Sequence, residues 1–178
     1  MKREVASILL FFGSFAHDPA FRASAQKTLE ELESKGYRLS ASSESIRIYP
    51  VQTDEFDGHQ AGGWRPGLIT LRERPEGEKS AQTYLRHELM HEASYRTCGR
   101  AFPTWAHEAA AIAFSVVIST DAALPEESEV AALRQSVKLG APIKGKAYEA
   151  LRKLVGVNSW PEKPCEVSKP IQFEIEAG

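Results

Sequence analysis

The chain has 178 residues, of which 42% are hydrophobic and 26% charged, which is typical of one globular domain with a substantial core. Its 22 basic and 24 acidic residues give a formal net charge of -2. Proteins that bind nucleic acid through its phosphates usually carry a basic patch or stripe, and this sequence has no dense basic run. No apolar stretch has the length of a membrane-spanning helix. These features argue against nucleic acid as a partner and against a membrane span.

The first 16 residues, MKREVASILLFFGSFA, have the pattern of a short secretory signal. Lys2 and Arg3 precede an apolar run that ends in SFA, a small-x-small pattern that a signal peptidase could cleave. Glu4 weakens the basic end, and the same run could instead be a buried strand or helix. We predict a signal at 1–16 and one domain over 17–178. This prediction favours a periplasmic or secreted protein, with a cytoplasmic location as the alternative.

Two cysteines, Cys98 and Cys165, bear on the same question. In an oxidising compartment they could form one disulfide that ties the Pro-rich tail to the segment around Cys98. In the cytosol they would be two free thiols, and two cysteines are too few to decide between these cases.

Apolar periodicity predicts one helix and two short strands in the first half of the chain. Asp18 and Pro19 are typical of a helix start, with Asp as the cap and Pro in the first turn, and Gly36 ends this helix. The second strand is centred on 68–71, and Pro66 favours an edge position for it. The predicted elements are a helix over 18–36, strands at 45–51 and 64–74, a loop at 54–63 and a polar turn at 75–80.

The second half of the chain is predicted to be mainly helical. The segment 104–119 is apolar all round, which indicates a helix buried in the core. In the Pro-rich tail, IQFEIE alternates and is assigned to a final strand. The four predicted helices cover 80–95, 104–119, 126–139 and 146–155. The fold class is therefore α+β, with a helix and a small sheet first and helices afterwards.

The segment YLRHELMHEASY, residues 84–95, contains the pattern H-E-x-x-H. His87 and His91 are four residues apart, so on a helix their imidazoles share one face and can reach one ion. Glu88 is turned by about 100°, which places its carboxylate beside the ion, where it can deprotonate a water. Zinc fits best, since catalytic zinc commonly has three protein ligands and a water. The alternative is an amphipathic helix whose histidines are solvated or hydrogen-bonded.

Glu108, in FPTWAHEAAA, is a candidate for the third ligand. Ala109, Ala110 and Ala111 would let this next helix approach the first one closely. A glutamate in so apolar a helix is costly to bury unless it is paired or binds a metal. Alternatively, Glu108 is exposed in the first turn, where it suits the helix dipole. His107 competes for the ligand role, but it points about 100° away from Glu108.

The pattern HELMH followed by PTWAHEAA resembles the gluzincin metallopeptidases, and the resemblance covers residues 64–119. It is most similar to the small bacterial peptidase MA-like group, whose pattern is HExxH followed by P-x-W-x-x-E-G-x-A. The resemblance implies a zincin-like fold, in which the edge strand GLITLRE lines the cleft beside an active-site helix and a glutamate helix. It also implies that His87, His91 and Glu108 bind zinc and that Glu88 is the general base.

Two residues depart from the family pattern. Ala109 stands where the group usually has Gly, which is a mild change. Ile112 stands where thermolysin-type gluzincins have an acidic residue that contacts a ligand histidine. We therefore expect one ligand histidine to lack this partner, which would lower the metal affinity.

Several aromatic residues are candidates for further roles. Tyr148, in GKAYEALRKL, is the first candidate for stabilising the oxyanion of an amide-hydrolysis intermediate, because this region would have to close the cleft. Tyr95 and His107 are its rivals, and simple packing is the alternative for Tyr148. Trp64 and Trp160 are interpreted as packing residues or loop anchors.

The predicted function is a zinc-dependent metallopeptidase that acts on a peptide or protein. The strand 67–72 could bind an extended peptide by strand addition, unless a loop covers it. A zinc amidase that acts on another amide, such as cell-wall peptide, would use the same site. A non-catalytic zincin-fold binding or scaffold module is a third alternative. Glu88 argues against this module, because a structural zinc needs no base and tends to have four protein ligands.

Overall fold

The structure is a computed structural model that describes residues 8–51, 62–73, 81–115 and 123–177. Over these ranges the chain forms a four-stranded mixed sheet and six α-helices, so the predicted α+β class is confirmed. The strands are β1 (Leu9–Phe11), β2 (Ile46–Val51), β3 (Gly62–Arg65) and β4 (Leu68–Arg72). The helices are α1 (Pro19–Ser34), α2 (Ala81–Cys98), α3 (Thr104–Ser115), α4 (Glu127–Leu139), α5 (Lys146–Val157) and α6 (Lys169–Glu176). None of these helices is long and apolar enough to cross a membrane.

The sheet has the strand order β1-β2-β4-β3. β2 pairs in parallel with both β1 and β4, whereas β3 and β4 form an antiparallel hairpin. α1 supplies the crossover that the parallel neighbours β1 and β2 require. It begins as predicted, because the Asp18 carboxylate accepts a hydrogen bond from the Phe21 N–H at 2.9 Å and Pro19 is the first helical residue.

The N-terminal segment that has the pattern of a secretory signal contributes β1 to this sheet. Leu9 is only 4% exposed, and the strand is followed by a 3-10 turn over Gly13–His17. A signal at 1–16, and its cleavage, stay a prediction.

The predicted edge position of the second strand is wrong. β4 lies between β2 and β3, and β3 is the outermost of the four described strands on this side of the sheet. Pro66 and Gly67 form a turn that divides the predicted strand 64–74 into two, and Gly67 takes φ +73°, a conformation that favours glycine. Pro66 therefore lies in the hairpin turn and not within β4, so it does not require β4 to be an edge strand. Most of the predicted loop, 54–61, and the turn 75–80 lie outside the described residues.

The tail segment IQFEIE is helix α6, so the predicted final strand is also wrong. Ile171 and Ile175 are buried, whereas Phe173 between them is 69% exposed. Ile171, Phe173 and Ile175 alternate as in a strand, but Ile171 and Ile175 are also four residues apart, as on one face of a helix. Ser168 as the cap and Pro170 in the first turn favour the helix.

α3 lies between two hydrophobic clusters, which explains its all-round apolar sequence. Ala110 and Ala111 pack into the first cluster, with residues of α1, α2 and the sheet. Trp105 and Ile112 pack into the second cluster, with residues of α4, α5 and α6. The prediction of a buried helix is confirmed over the described part of the segment, and 116–119 lie outside it. The small alanine side chains allow α3 to lie close to α2.

Cys98 and Cys165 form a disulfide. Cys98 is the last residue of α2, and Cys165 lies between α5 and α6. In the same connecting segment Pro164 lies against Gly36, at the end of α1. The bond ties the C-terminal tail to the end of α2, and the Pro164 contact places the same tail against the end of α1.

Replacing both cysteines by serine should lower the free energy of unfolding by about 4 kcal/mol, because the bond spans a sequence separation of 67 residues and restricts the unfolded chain. Urea unfolding followed by circular dichroism measures this change. The wild type in excess reductant is the matched control and should unfold at the same urea concentration as the double variant. Equal stability of the variant and the oxidised wild type would contradict the prediction.

Candidate metal centre

α2 presents two imidazoles on one face. The Nε2 atoms of His87 and His91 are 3.2 Å apart, and the two rings meet edge to face with centroids 4.9 Å apart. Residues four apart lie one above the other on a helix, which explains this approach. Their side chains are 16% and 11% exposed, respectively, so both rings are largely shielded from water.

Glu108 approaches these histidines from α3. Its Oε1 lies 3.1 Å from His87 Nε2, and its Oε2 lies 3.4 Å from His91 Nε2. Gly99, at φ +73°, helps to reverse the chain after α2, so that α3 runs back along it. The ligand atoms of the three side chains lie within 4.8 Å of one another. The three residues that the sequence offers as metal ligands thus form a group that could hold a metal ion, here called the triad.

A hydrogen bond behind His87 fixes which of its nitrogens faces Glu108. His87 Nδ1 lies 3.2 Å from Ser115 Oγ, and the Ser115 hydroxyl donates to the Ala111 carbonyl at 2.7 Å. Because that single proton is used, Ser115 accepts from Nδ1–H, and a neutral His87 carries its lone pair on Nε2. In a neutral His87 this lone pair would face the Glu108 carboxylate, so the contact is favourable when a proton or a metal ion lies between the two atoms. Two imidazole nitrogens and a carboxylate oxygen form a donor set that fits zinc.

Burial and hydrogen bonding act in opposite directions on Glu108. Burial raises the pKa of its carboxyl, but hydrogen bonds to His87 and His91 outweigh burial and hold the pKa far below the usual value. For His87, burial lowers the pKa, yet the contacts with Glu108 and with the charge of Glu88 raise it above the usual value. Glu108 therefore carries the negative charge that a divalent cation needs.

Glu88 lies beside the triad and outside it. Its side chain is nearly buried, and burial raises the pKa of its carboxyl, although the two neighbouring imidazoles act to lower it. Gly62 of β3 lies directly against it, since a Cβ on Gly62 would be 2.7 Å from Glu88 Oε1. A glycine at this position therefore leaves the space that the carboxylate occupies.

Trp64 of β3 lies over His91, with ring centroids 5.6 Å apart and planes at 25°. It also meets Tyr95, with centroids 5.6 Å apart and planes at 60°. Trp64 was predicted to be a packing residue or a loop anchor, and its contact with a candidate ligand was missed. This contact depends on the β3–β4 hairpin, which the spacing of residues within α2 does not reveal.

Tyr148 and His107, both predicted as candidates for the oxyanion role, have different surroundings. Burial, followed by the nearby charge of Glu108, raises the pKa of Tyr148 to about 12. The phenol therefore keeps its proton at neutral pH. His107 Nδ1 lies 2.8 Å from Ser94 Oγ, and burial, followed by the charge of His91, lowers its pKa to about 4. His107 is thus a neutral imidazole that joins α3 to α2.

Ile112 provides no polar contact to a ligand histidine, but Ser115 contacts His87 Nδ1. Ile112 is 1% exposed and belongs to the second hydrophobic cluster. Ser115 lies seven residues after Glu108, two helical turns on, and therefore on the same face of α3. His87 thus has a neutral hydroxyl as its partner in place of an acidic residue, and the lower metal affinity stays a prediction. The seven-residue spacing is a sequence signal that could have identified Ser115.

Comparisons with protein-family models, with curated proteins and with solved structures found no match. The site is therefore defined by its own geometry and by the chemistry of its residues.

Ser115→Ala should weaken the binding of Zn2+ to the triad about 10-fold, because His87 would lose the acceptor that fixes its Nδ1–H. Competition with a chromophoric chelator measures this affinity. Ser94→Ala is the matched control, since its hydroxyl contacts His107 and backbone carbonyls of α2 but no ligand side chain, and it should leave zinc affinity unchanged. An unchanged affinity in Ser115→Ala would contradict the role given to Ser115.

Proposed function

We propose that the protein is a zinc-dependent metallopeptidase of the gluzincin type, with a zincin-like fold. The observation that carries the proposal is the meeting of His87, His91 and Glu108 from two adjacent helices, with Glu88 beside them. Among the described residues this group has three members, whereas a structural zinc usually has four protein ligands. Catalytic zinc commonly has three protein ligands and a water, and we propose this arrangement for the triad.

Glu88 is suited to carry the proton in amide hydrolysis. A zinc ion at the triad would supply a Lewis acid, which lowers the pKa of water and polarises a carbonyl. Burial raises the pKa of Glu88, so its carboxylate is a stronger base than that of an exposed glutamate. In the proposed reaction Glu88 accepts a proton from the attacking water and then donates it to the leaving amine.

Tyr148 is proposed as the hydrogen-bond donor to the oxyanion that forms from the substrate carbonyl. Its pKa of about 12 keeps the phenol protonated, as a donor requires. The effect of Glu108 and Glu88 on that pKa supports a position close to the site. The ring packs against the second hydrophobic cluster, which restricts where the hydroxyl can move.

β3, the outermost of the described strands, supports an extended peptide as the substrate. Gly62 lies against Glu88 and Trp64 lies against His91, so β3 runs beside α2 at the site. A peptide that adds to β3 as a further strand would pass beside the triad and be recognised through its main chain. Strand addition is thus assigned to β3 instead of β4, where the sequence placed it.

An exported location is part of the same proposal. The disulfide between Cys98 and Cys165 supports an oxidising compartment. This support is independent of the signal predicted at 1–16, since its cleavage would remove β1 from the sheet. An exported peptidase would meet peptides or proteins outside the cytosol.

The purified protein should contain stoichiometric zinc by elemental analysis and should cleave members of a peptide library. Glu88→Gln should retain the zinc and lower kcat by about 10²–10⁴-fold, because it removes the group that moves the proton and leaves the triad intact. His87→Ala is the comparison variant and should lose both zinc and activity.

A wild-type protein without zinc would contradict the metal site, and full activity of Glu88→Gln would contradict the assignment of the base. Hydrolysis of cell-wall amides without cleavage of any library peptide would favour the amidase alternative.

Tyr148→Phe should lower kcat by about 10²–10³-fold with little change in KM or in zinc content, because it removes one donor to the oxyanion. Steady-state kinetics on a cleaved library peptide measures this change. Tyr37→Phe is the control, since burial likewise raises the pKa of Tyr37 to about 12 but Tyr37 lies just after α1. Equal activities of Tyr148→Phe and the wild type would assign Tyr148 to packing alone.

A further inference from the structure

A buried carboxylate on α2 fixes the position of Trp64. Glu92 follows His91 in the chain and is 1% exposed. Its Oε2 accepts hydrogen bonds from the Trp64 indole N–H at 2.6 Å and from the Gly67 backbone N–H at 3.0 Å. Its Oε1 accepts from Arg96 Nε at 2.6 Å. A buried carboxylate is costly unless its oxygens are paired, so these contacts join the β3–β4 hairpin firmly to α2.

The same indole covers the ring of His91. The centroid distance of 5.6 Å and the angle of 25° lie in the range of offset-stacked rings. Adjacent residues on a helix diverge by about 100°, so His91 faces α3 whereas Glu92 faces the hairpin. Trp64 reaches both, because its N–H edge bonds Glu92 while its face lies on His91. The imidazole cannot turn toward β3 without displacing a ring that is hydrogen-bonded to a buried charge.

The two histidines of the triad are therefore held by different elements. Ser115 of α3 holds His87 through Nδ1, whereas His91 lies between the indole of Trp64 and the carboxylate of Glu108. A side chain that is already restricted to its binding rotamer loses less conformational entropy when the ligand binds. A fixed indole should therefore increase the affinity of the triad for a metal.

We propose that Trp64 is a positioning residue that holds His91 in its metal-binding rotamer, and that Glu92 acts on the metal site through Trp64. The inference rests on the proposed function, since it requires a metal at the triad. It makes the outer strand of the sheet a part of the metal site.

Substitutions of Trp64 test this role through zinc affinity, which is measured by chelator competition and does not require a substrate. Trp64→Leu removes both the ring face and the N–H, whereas Trp64→Phe keeps a ring face. Trp160→Leu and Trp160→Phe are matched controls, because Trp160 is also partly buried but packs against Trp105. We expect the Kd for zinc to rise about 10-fold in Trp64→Leu and about 3-fold in Trp64→Phe, and to change less than about 2-fold in the controls.

A double substitution tests the part assigned to Glu92. Glu92→Gln alone should weaken zinc binding, because its bond to the indole loses the charge of the carboxylate. In the Trp64→Leu background the same change should have no further effect on the zinc Kd, although both proteins lose stability in urea. Independent, additive losses of zinc affinity would overturn the proposed route through Trp64.

The spectrum of Co2+ at the site provides a readout that does not depend on stability. The visible bands of the Co2+ protein should shift in Trp64→Leu, as the geometry at His91 changes, and should stay unchanged in Trp160→Leu. Wild-type zinc affinity in Trp64→Leu would overturn the inference and leave the proposed function intact. An equal loss in Trp160→Leu would also overturn it, whereas a wild-type protein that binds no zinc would contradict the proposed function itself.

Discussion

The close approach of α3 to α2 is the constraint on which the candidate site depends. The Glu108 carboxylate reaches two imidazole nitrogens at 3.1 and 3.4 Å, and this is feasible because alanines follow it on α3. Two hydrophobic clusters, one on each side of α3, hold the helix at this depth. The same packing brings Ser115 behind His87. A small displacement of α3 would therefore separate a ligand and its orienting partner from α2 at the same time.

Three glutamates are nearly or largely buried around this contact, and each is compensated differently. Glu108 faces two imidazoles, which hold its pKa far below the usual value after burial has raised it. Glu92 accepts hydrogen bonds at both oxygens. For Glu88, burial outweighs the charges of the two imidazoles and raises its pKa. The surroundings thus distinguish Glu92 as a structural anchor, Glu108 as a candidate ligand and Glu88 as a candidate proton carrier, although the residue type is the same.

Those parts of the site that depend on spacing within one helix could be predicted from the sequence. The shared face of His87 and His91 follows from a separation of four residues, and the burial of α3 follows from its apolar sequence. The position of β4 was predicted wrongly, because Pro66 has the same local preference in an edge strand and in a hairpin turn. The contact between Trp64 and His91 depends on how the sheet packs against α2, which no local pattern contains.

Anomalous diffraction at the zinc absorption edge, from crystals of the zinc-loaded protein, tests the central claim most directly. The account predicts one strong peak at about 2.0–2.2 Å from His87 Nε2, His91 Nε2 and a Glu108 carboxylate oxygen, with no fourth protein ligand. A peak elsewhere on the protein, or a fourth protein side chain bound to the ion, would contradict a catalytic metal centre built by α2 and α3.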